Sequence, residues 1–364
     1  MVTRSGSILS AINSTSESTM AKQLQVPELT DAIQNSQAGS LRLYLVSRAL
    51  KPDVPKTKKT LHKYLFNLHR IDIDPALQGM FLKTILELGR TLSAEYDRIA
   101  KYKPIDVDSR KIHTYQMTNR EMAFADVIYN QINRGVDMPT INDLDGYLRG
   151  AELWAYCIEM QAGDNNRYLS FTRLNRGKVA VDERTQRGTS LAKKFFRTRF
   201  NTNTAKLELL DGTTVNFDER VDCLYLFAKD TFYIFDKKHF EQIVAIEEEF
   251  RKVADSVMKL AVDAEIVGDL TPVQDILDND TAVHKKLYQL GSVLKEEKIG
   301  PVRLRKMQAV AKSYKLPLRV KGGKVQIGDR NELVTFIRLL DDYFLKSPQT
   351  GYKYGAPVKE RLNV

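Results

Sequence analysis

The sequence predicts an α+β protein with a helical N-terminal region, a central, mainly antiparallel sheet packed by a long helix, and a helical C-terminal part that contains a β-hairpin. Two observations predict this order. Apolar residues recur at spacings of three and four before residue 133 and after residue 237, which is typical of amphipathic helices. Between residues 153 and 236, short apolar runs alternate with turn residues, which is typical of β-hairpins.

The composition along the chain divides it into three segments. Residues 1–25 are rich in Ser, Thr and Asn, and we expect them to form a disordered lead-in. Residues 26–150 are expected to form the helical N-terminal region. Residues 151–364 are expected to form a separate α+β domain, because the sequence changes character near Trp154.

Two helices are predicted in the N-terminal region. In residues 76–101 the apolar side chains share one helical face, and Asp74-Pro75 supplies a cap and a first-turn proline. A second helix is predicted over residues 118–132, where Thr118 and Glu121 have the spacing of a capping box.

Three hairpins are predicted for the central sheet. The pairs are 153–158 with 167–171, 206–210 with 213–215 across Asp211-Gly212, and 223–228 with 231–235.

A long helix is predicted from residue 238 to about residue 267, and its apolar stripe is expected to pack on the sheet. Helices over residues 281–295 and 301–315 follow it. Two short strands then pair across Gly322-Gly323, and residues 331–345 close the chain as an amphipathic helix.

The composition is that of an ordinary globular protein, with 43% hydrophobic and 28% charged residues among 364. No stretch has the roughly 18 uninterrupted apolar residues that a membrane span needs. The only cysteines are Cys157 and Cys223, which excludes a disulfide framework and a multi-cysteine zinc site. We therefore expect a protein of the reducing cytoplasm.

Positive charge is concentrated in two stretches, residues 167–199 and 285–324. Together they carry more excess positive charge than the +10 of the whole chain. Both stretches also contain the apolar residues that a folded structure needs. Concentrated positive charge in foldable sequence indicates a polyanionic partner, because each phosphate that Lys or Arg neutralises releases a counterion. Nucleic acid is the partner that this pattern favours.

Eight basic residues are the candidate phosphate contacts. They are Lys193, Lys194, Arg197, Arg199, Arg303, Arg305, Lys306 and Lys312. The second group lies on a predicted helix, and the hairpin Lys321-Gly322-Gly323-Lys324 after it is similar to a basic wing beside a helix. A solvated surface helix is an equally good interpretation of the second group, because basic exposed faces are common.

The sequence predicts no catalytic residue, cofactor or metal ligand. Walker, G-x-G-x-x-G, H-E-x-x-H and G-x-S-x-G motifs are absent. Acidic residues occur in two groups, which are Asp211, Asp218, Glu219 and Asp222, and Asp275, Asp278 and Asp280. Aspartates in such turns usually cap helices and form turns, and we favour that interpretation over metal binding. Two alternatives to a binding protein without catalysis stay open: a metal-dependent nuclease with a degenerate site near residues 211–222, and a basic protein-interaction scaffold.

A family resemblance is carried by two segments. The first is Tyr233-Ile-Phe-Asp-Lys-Lys-His-Phe-Glu-Gln-Ile243, and the second runs from Asp341 to Lys359 with its Ser, Thr-Gly and Tyr-x-Ala-x-x-Lys pattern. In these segments the chain resembles the KwaB-like family of the Kiwa anti-phage defence system. It departs from the family pattern at Gln349, where a leucine is expected, and the first 150 residues carry no matching motif.

The resemblance implies a cytoplasmic DNA-binding effector that forms a homodimer and blocks replication or expression of phage DNA. It also implies a small membrane protein partner, KwaA, through which the effector reaches the membrane.

Overall fold

The computed structural model describes residues 25–34, 40–51, 64–106, 108–118, 120, 122–134, 151–162, 166–174, 179–180, 198–201, 206–209, 214–215, 217, 220–294 and 301–356. Apart from Gln25, the predicted disordered lead-in lies outside these residues.

An eight-stranded sheet organises the first two-thirds of the chain. Its strands are β1 (Ser40–Leu50), β2 (Tyr64–Ile71), β3 (Arg98–Lys101), β4 (Lys111–Tyr115), β5 (Glu152–Ala162), β6 (Asn166–Arg173), β11 (Cys223–Leu226) and β12 (Thr231–Ile234). Their order across the sheet is β2-β1-β5-β6-β11-β12-β4-β3. Each strand is antiparallel to its described neighbours except β3 and β4, which run parallel. The predicted α+β class and mainly antiparallel sheet are confirmed.

Helices cover both faces of this sheet. One face carries α1 (Val26–Gln34) and α2 (Pro75–Glu95), which bury Leu29 and Ile85 against the strands. The other face carries a helical segment at residues 125–134, α3 (Lys237–Ile243) and the start of α4 (Glu247–Asp263). The central strands are therefore buried on both sides.

The second core lies after residue 253, where the C-terminal half of α4 leaves the sheet. It contains α5 (Gln274–Asn279), α6 (Thr281–Leu294), α7 (Pro301–Tyr314) and α8 (Arg330–Leu340). Two hairpins complete this part of the chain, β13 (Arg319–Lys321) with β14 (Lys324–Gln326) and β15 (Phe344–Lys346) with β16 (Lys353–Gly355).

The N-terminal region was predicted to be helical, but it also supplies the four strands β1 to β4. The predicted helix near residue 76 is present, and Asp74 caps it by accepting the Leu77 backbone N–H at 2.8 Å. In contrast, β1 is an interior strand with five consecutive buried residues, Leu43 to Ser47. Burial on both faces removes the apolar–polar alternation that would identify a strand. The helix predicted from Thr118 begins only at residue 125 in the described residues.

The edge strand β2 is covered by a side chain of the 125–134 segment. The Gln131 amide donates to the Phe66 carbonyl at 2.7 Å, and its oxygen accepts the Leu68 backbone N–H at 2.7 Å. The Gln131 amide thus makes the two hydrogen bonds, to a backbone carbonyl and a backbone N–H, that a residue of a further strand would otherwise make. Such coverage protects the edge from pairing with another chain.

One of the three predicted central hairpins is wrong. The hairpins β5–β6 and β11–β12 are confirmed. However, β9 (Lys206–Leu209) pairs with β8 (Thr198–Asn201), and β10 (Thr214–Val215) pairs with β7 (Val179–Ala180). Strand β9 therefore pairs with the strand that ends five residues before it, whereas β10 pairs with a strand more than thirty residues earlier in the chain.

The long helix predicted after residue 238 is interrupted. It divides into α3 and α4 at Ala245, whose φ of 51° lies in the left-handed region. Residues with a Cβ adopt this region at a cost of about 1 kcal/mol. The closing helix is also shorter than predicted, since α8 ends at Leu340 and Asp342 has a φ of 47°.

His69 on β2 is expected to make stability depend on pH. Burial lowers its pKa to about 4, from an ordinary value of 6.5. The unfolded chain therefore binds this proton more tightly than the folded protein does. The contribution of the neutral, half-buried His69 to the free energy of unfolding is fully present above about pH 6.5 and is lost as the pH falls towards about 4.

Replacement of His69 by Gln should flatten the pH dependence of the free energy of unfolding between about pH 6.5 and pH 4.5. Urea denaturation of both proteins at several pH values measures this difference. Equal pH dependence in the two proteins would show that His69 is not the group that titrates.

Candidate nucleic-acid interface

Helix α7 has one buried and one basic face. Leu304, Met307 and Ala311 are buried in the second core, at 6%, 3% and 4% exposure. Arg305, Lys306 and Lys312 are exposed. Arg305 and Lys312 are seven residues apart, so they lie on the same helical stripe, two turns apart. The helix thus presents its positive charge away from the core that fixes its position.

A basic hairpin follows this helix in the chain and shares its hydrophobic core. Strands β13 and β14 turn at Gly322 and Gly323, whose φ angles of 60° and 78° are those of a tight hairpin turn that favours glycine. Val325 is 1% exposed and belongs to the same core as Met307. The shared core fixes the hairpin relative to α7. The predicted helix with a wing-like hairpin is present in this form.

Residues 301–326 contain eight basic residues and no acidic residue. Arg319 and Lys324 have carboxylate partners from elsewhere in the chain. Arg319 contacts Glu332 at 2.6 Å, and Lys324 contacts Glu265 at 3.3 Å. Because of the hydrogen bond from Arg319, the pKa of the Glu332 carboxyl is lowered. In the described part of the chain, no carboxylate lies within ion-pair distance of Arg305, Lys306 or Lys312. Their charge is therefore available to an anionic ligand.

Arg303 differs from the other candidate residues of α7. Its guanidinium is half-buried and donates to the Leu340 carbonyl, with the Nη2 to oxygen distance at 2.6 Å. Leu340 is the last residue of α8, so this hydrogen bond satisfies a free carbonyl at a helix end. Arg303 thus joins α7 to α8.

Of the candidate phosphate contacts in the first basic stretch, residues 167–199, only one is among the described residues. Lys193, Lys194 and Arg197 lie outside the described residues, and Arg199 is described only as a backbone position in β8. Two other arginines of the stretch belong to the fold. Arg167 pairs with the buried Glu159, the Nε to Oε1 distance being 2.5 Å, and Arg173 is only 6% exposed.

The three aspartates between residues 275 and 280 have structural partners: Asp275 accepts from the Asn279 amide, Asp278 lies 4.0 Å from Arg251, and Asp280 caps a helix. Asp280 accepts the backbone N–H groups of Ala282 and Val283 at 2.9 and 3.1 Å, and it pairs with Arg330 at 2.6 Å. Arg330, the Val283 N–H and the Ala282 N–H together keep the pKa of Asp280 low in spite of its burial. Of the other acidic group, Asp211, Asp218 and Glu219 lie outside the described residues.

Asp222 lies beside two residues that the sequence analysis did not connect with it. Its carboxylate is 3.2 Å from His239 Nδ1, which is 2.8 Å from the carboxylate of Asp236. The potential ligand atoms of the three residues lie within 4.8 Å of one another. Asp222 precedes β11, Asp236 follows β12 and His239 lies in the first turn of α3, so the pairing of β11 with β12 brings the three together.

Asp222 and Asp236 are already bonded to other parts of the fold. Asp222 accepts the Arg173 backbone N–H at 2.6 Å and contacts Arg220 Nε at 3.3 Å. Asp236 caps α3 through the His239 backbone N–H at 2.9 Å. Burial raises the pKa of Asp222, while the Arg173 N–H and the charge of Arg220 act against that shift. Asp236 thus caps the start of α3, and Arg220 partly neutralises the buried carboxylate of Asp222 beside it.

A family comparison decides the class of this chain. The model of the family described as Kiwa protein KwaB-like matches residues 151–350, which is more than half of the chain. The chain belongs to the KwaB-like family. Membership makes it a component of the Kiwa anti-phage defence system. Searches of curated proteins and of solved structures each returned no match.

The KwaB-like match begins one residue before β5 and ends between β15 and β16. It therefore includes α7 and the β13–β14 hairpin, but not β1 to β4. Among the described residues, no helix is long and apolar enough to span a membrane.

Proposed function

We propose that this KwaB-like chain is a DNA-binding effector that acts by occupying phage DNA and blocking its replication or expression. Binding uses phosphate contacts from α7 and the adjacent hairpin, and from the stretch that contains Lys193, Lys194, Arg197 and Arg199. Phosphate contacts position a protein without reading sequence, so sequence preference is weak. In this proposal the chain acts as a homodimer in the cytoplasm, beside a small KwaA-like membrane protein.

The observation that carries the proposal is the exposed basic face of α7. Three cations, Arg305, Lys306 and Lys312, share a helix that a hydrophobic core holds in place. The described residues offer no carboxylate to neutralise them. A solvated face would also be basic, but the absence of acidic residues over 26 consecutive positions favours a polyanionic partner.

Replacement of Arg305, Lys306 and Lys312 together by Ala tests the proposal. Affinity for a mixed-sequence duplex should fall by about tenfold or more at moderate salt, and the dependence of log K on log salt should become less steep by about 3. The fall should be similar for unrelated sequences, because phosphate contacts carry no sequence information. Fluorescence anisotropy across a salt series measures both quantities.

A matched control removes the same charges elsewhere. Lys83 and Arg90 on α2 and Lys259 on α4 are exposed, and their replacement by Ala removes the same two lysines and one arginine. This control should bind DNA almost as the unmodified chain does. Equal losses in the two variants would show that only net charge matters and would contradict a site on α7.

A metal-dependent nuclease is the second candidate function, and the group of Asp222, Asp236 and His239 is the observation that favours it. Mg²⁺-dependent loss of supercoiled plasmid that Asp222→Ala abolishes would support it. Intact plasmid after incubation with Mg²⁺ would support occupancy without cleavage.

A further inference from the structure

The hairpin β15–β16 has an aromatic outer face. Tyr352 and Tyr354 are 68% and 50% exposed, and Leu345, which pairs with Tyr354 across the hairpin, is 44% exposed. Exposed aromatic residues on one face of a small hairpin are uncommon, because folding usually covers rings of this size.

The two tyrosines lie on the same side of the strand. They are two residues apart, and alternate residues of a strand point to the same face with about 6.6 Å between their Cα atoms. Tyr352 precedes β16, but its carbonyl accepts the Ser347 backbone N–H at 2.9 Å, so the antiparallel pairing continues to it. The left-handed φ of 69° at Gly351 then turns the chain.

The inner face of the hairpin is attached to the end of α7. The Tyr314 hydroxyl donates to the Leu345 carbonyl at 2.6 Å, and the Tyr314 and Phe344 ring centres are 5.2 Å apart. Lys353 donates to the Ser313 carbonyl, and its ammonium lies 4.9 Å from the centre of the Tyr314 ring. The aromatic face is therefore held beside the helix whose last turn carries Lys312.

The charge of the hairpin identifies the kind of partner. Residues 343–356 contain two lysines and no acidic residue, and they follow the uniformly basic segment 301–326. The exposed cations of α7 beside this pair of exposed rings fit a chain of phosphates and bases, since every base has a flat face that an aromatic ring can stack on. Sheets that bind single-stranded nucleic acid likewise stack successive bases on exposed aromatic side chains.

We infer that Tyr352 and Tyr354 stack on unpaired bases, so that this chain binds single-stranded DNA along the hairpin β15–β16. The inference rests on the proposed DNA-binding function and adds a ligand class to it. Helix α7 supplies phosphate contacts to either form of DNA, whereas the hairpin adds contacts that only unpaired bases can make.

The test compares labelled oligothymidine with a mixed-sequence duplex of the same length. Replacement of Tyr352 and Tyr354 together by Ala should weaken binding to oligothymidine by about tenfold to a hundredfold. Binding to the duplex should change by less than about twofold. Replacement of both tyrosines by Phe keeps the rings and removes the hydroxyls, so it should retain most of the affinity for oligothymidine. An unchanged thermal melting temperature of each variant confirms that the chain stays folded.

The outcomes separate this inference from the function on which it rests. Unchanged affinity of the Ala variant for oligothymidine, with duplex binding intact, overturns the stacking inference and leaves the DNA-binding function standing. Equal losses for both ligands also overturn it, because stacking on bases would spare the duplex. A change of self-association instead of strand binding, measured by light scattering, would assign the face to a second copy of the chain. Failure of the unmodified chain to bind either ligand overturns both proposals.

Discussion

Replacing Trp154 by Ala is expected to lower the free energy of unfolding by about 3–5 kcal/mol, the usual cost of removing a large buried aromatic side chain. Trp154 is 6% exposed on β5. The guanidinium groups of Arg48 and Arg173 lie 3.1 and 3.4 Å from the centre of its ring. Its indole N–H also donates to the Gln242 carbonyl at 2.9 Å, close to the break between α3 and α4.

Loss of the indole therefore has three effects. It opens a cavity in the core, it removes the ring from two arginines, and it removes one of the donors of the Gln242 carbonyl, which also accepts the Ala245 backbone N–H at 3.3 Å. Urea denaturation measures the change in the free energy of unfolding. The control is Met80→Ala on α2, where a side chain that is 59% exposed should contribute less than about 0.5 kcal/mol. A Trp154→Ala variant that is as stable as the control would contradict this description of the core.

Replacing Glu159 by Ala is expected to destabilise the protein by about 2–4 kcal/mol, because it leaves the buried Tyr44 hydroxyl without its acceptor and the half-buried Arg167 without its carboxylate. Glu159 is 4% exposed and accepts from the Tyr44 hydroxyl at 2.7 Å and from Arg167 Nε at 2.5 Å. Burial and the neighbouring Glu159 raise the pKa of Tyr44, so its hydroxyl stays protonated as a donor. Arg167 in turn donates to the Ile132 carbonyl at 3.0 Å.

This network connects β1, β5 and β6 to the 125–134 segment. Glu159→Gln keeps an acceptor for Tyr44 and should recover part of the stability. Glu87→Ala on α2 is the control, since Glu87 is 51% exposed and its pair with Lys83 is at 3.7 Å; it should change the free energy of unfolding by less than about 0.5 kcal/mol. Chemical denaturation of the three variants would refute the network if Glu159→Ala and Glu87→Ala had equal effects.

Local signals in the sequence were sufficient for several elements. Asp74-Pro75 predicted the start of α2, and the two adjacent glycines predicted the β13–β14 hairpin. The hairpins β5–β6 and β11–β12 were predicted because their strands are near in sequence and separated by turn residues. In each case a few neighbouring residues determine the conformation.

Elements that depend on distant partners were not predicted. Strand β1 pairs with β5 more than a hundred residues later, and its burial on both faces hides the strand pattern. The break at Ala245 has no glycine or proline to indicate it. Tertiary packing decided these elements over local propensity.

The candidate site shows the same division. The sequence identified Arg305, Lys306 and Lys312, because charge and helical spacing are local properties. It did not reveal that Arg303 contacts α8, or that Asp236 and His239 lie beside Asp222, since both contacts join separate elements. The exposed Tyr352 and Tyr354 also emerge only when the hairpin and its inner face are known.

Binding of DNA by the unmodified chain across a salt series tests the central claim most directly. Fluorescence anisotropy with duplex DNA, in the presence of Mg²⁺ and with the DNA inspected afterwards, gives the affinity, the salt slope and any cleavage. We predict binding to intact DNA that weakens steeply with salt, with a slope of about −3 or steeper if the three exposed residues of α7 each contact a phosphate. Absence of binding at low salt would contradict the proposed DNA-binding function and would leave the basic face of α7 as a surface for a protein partner.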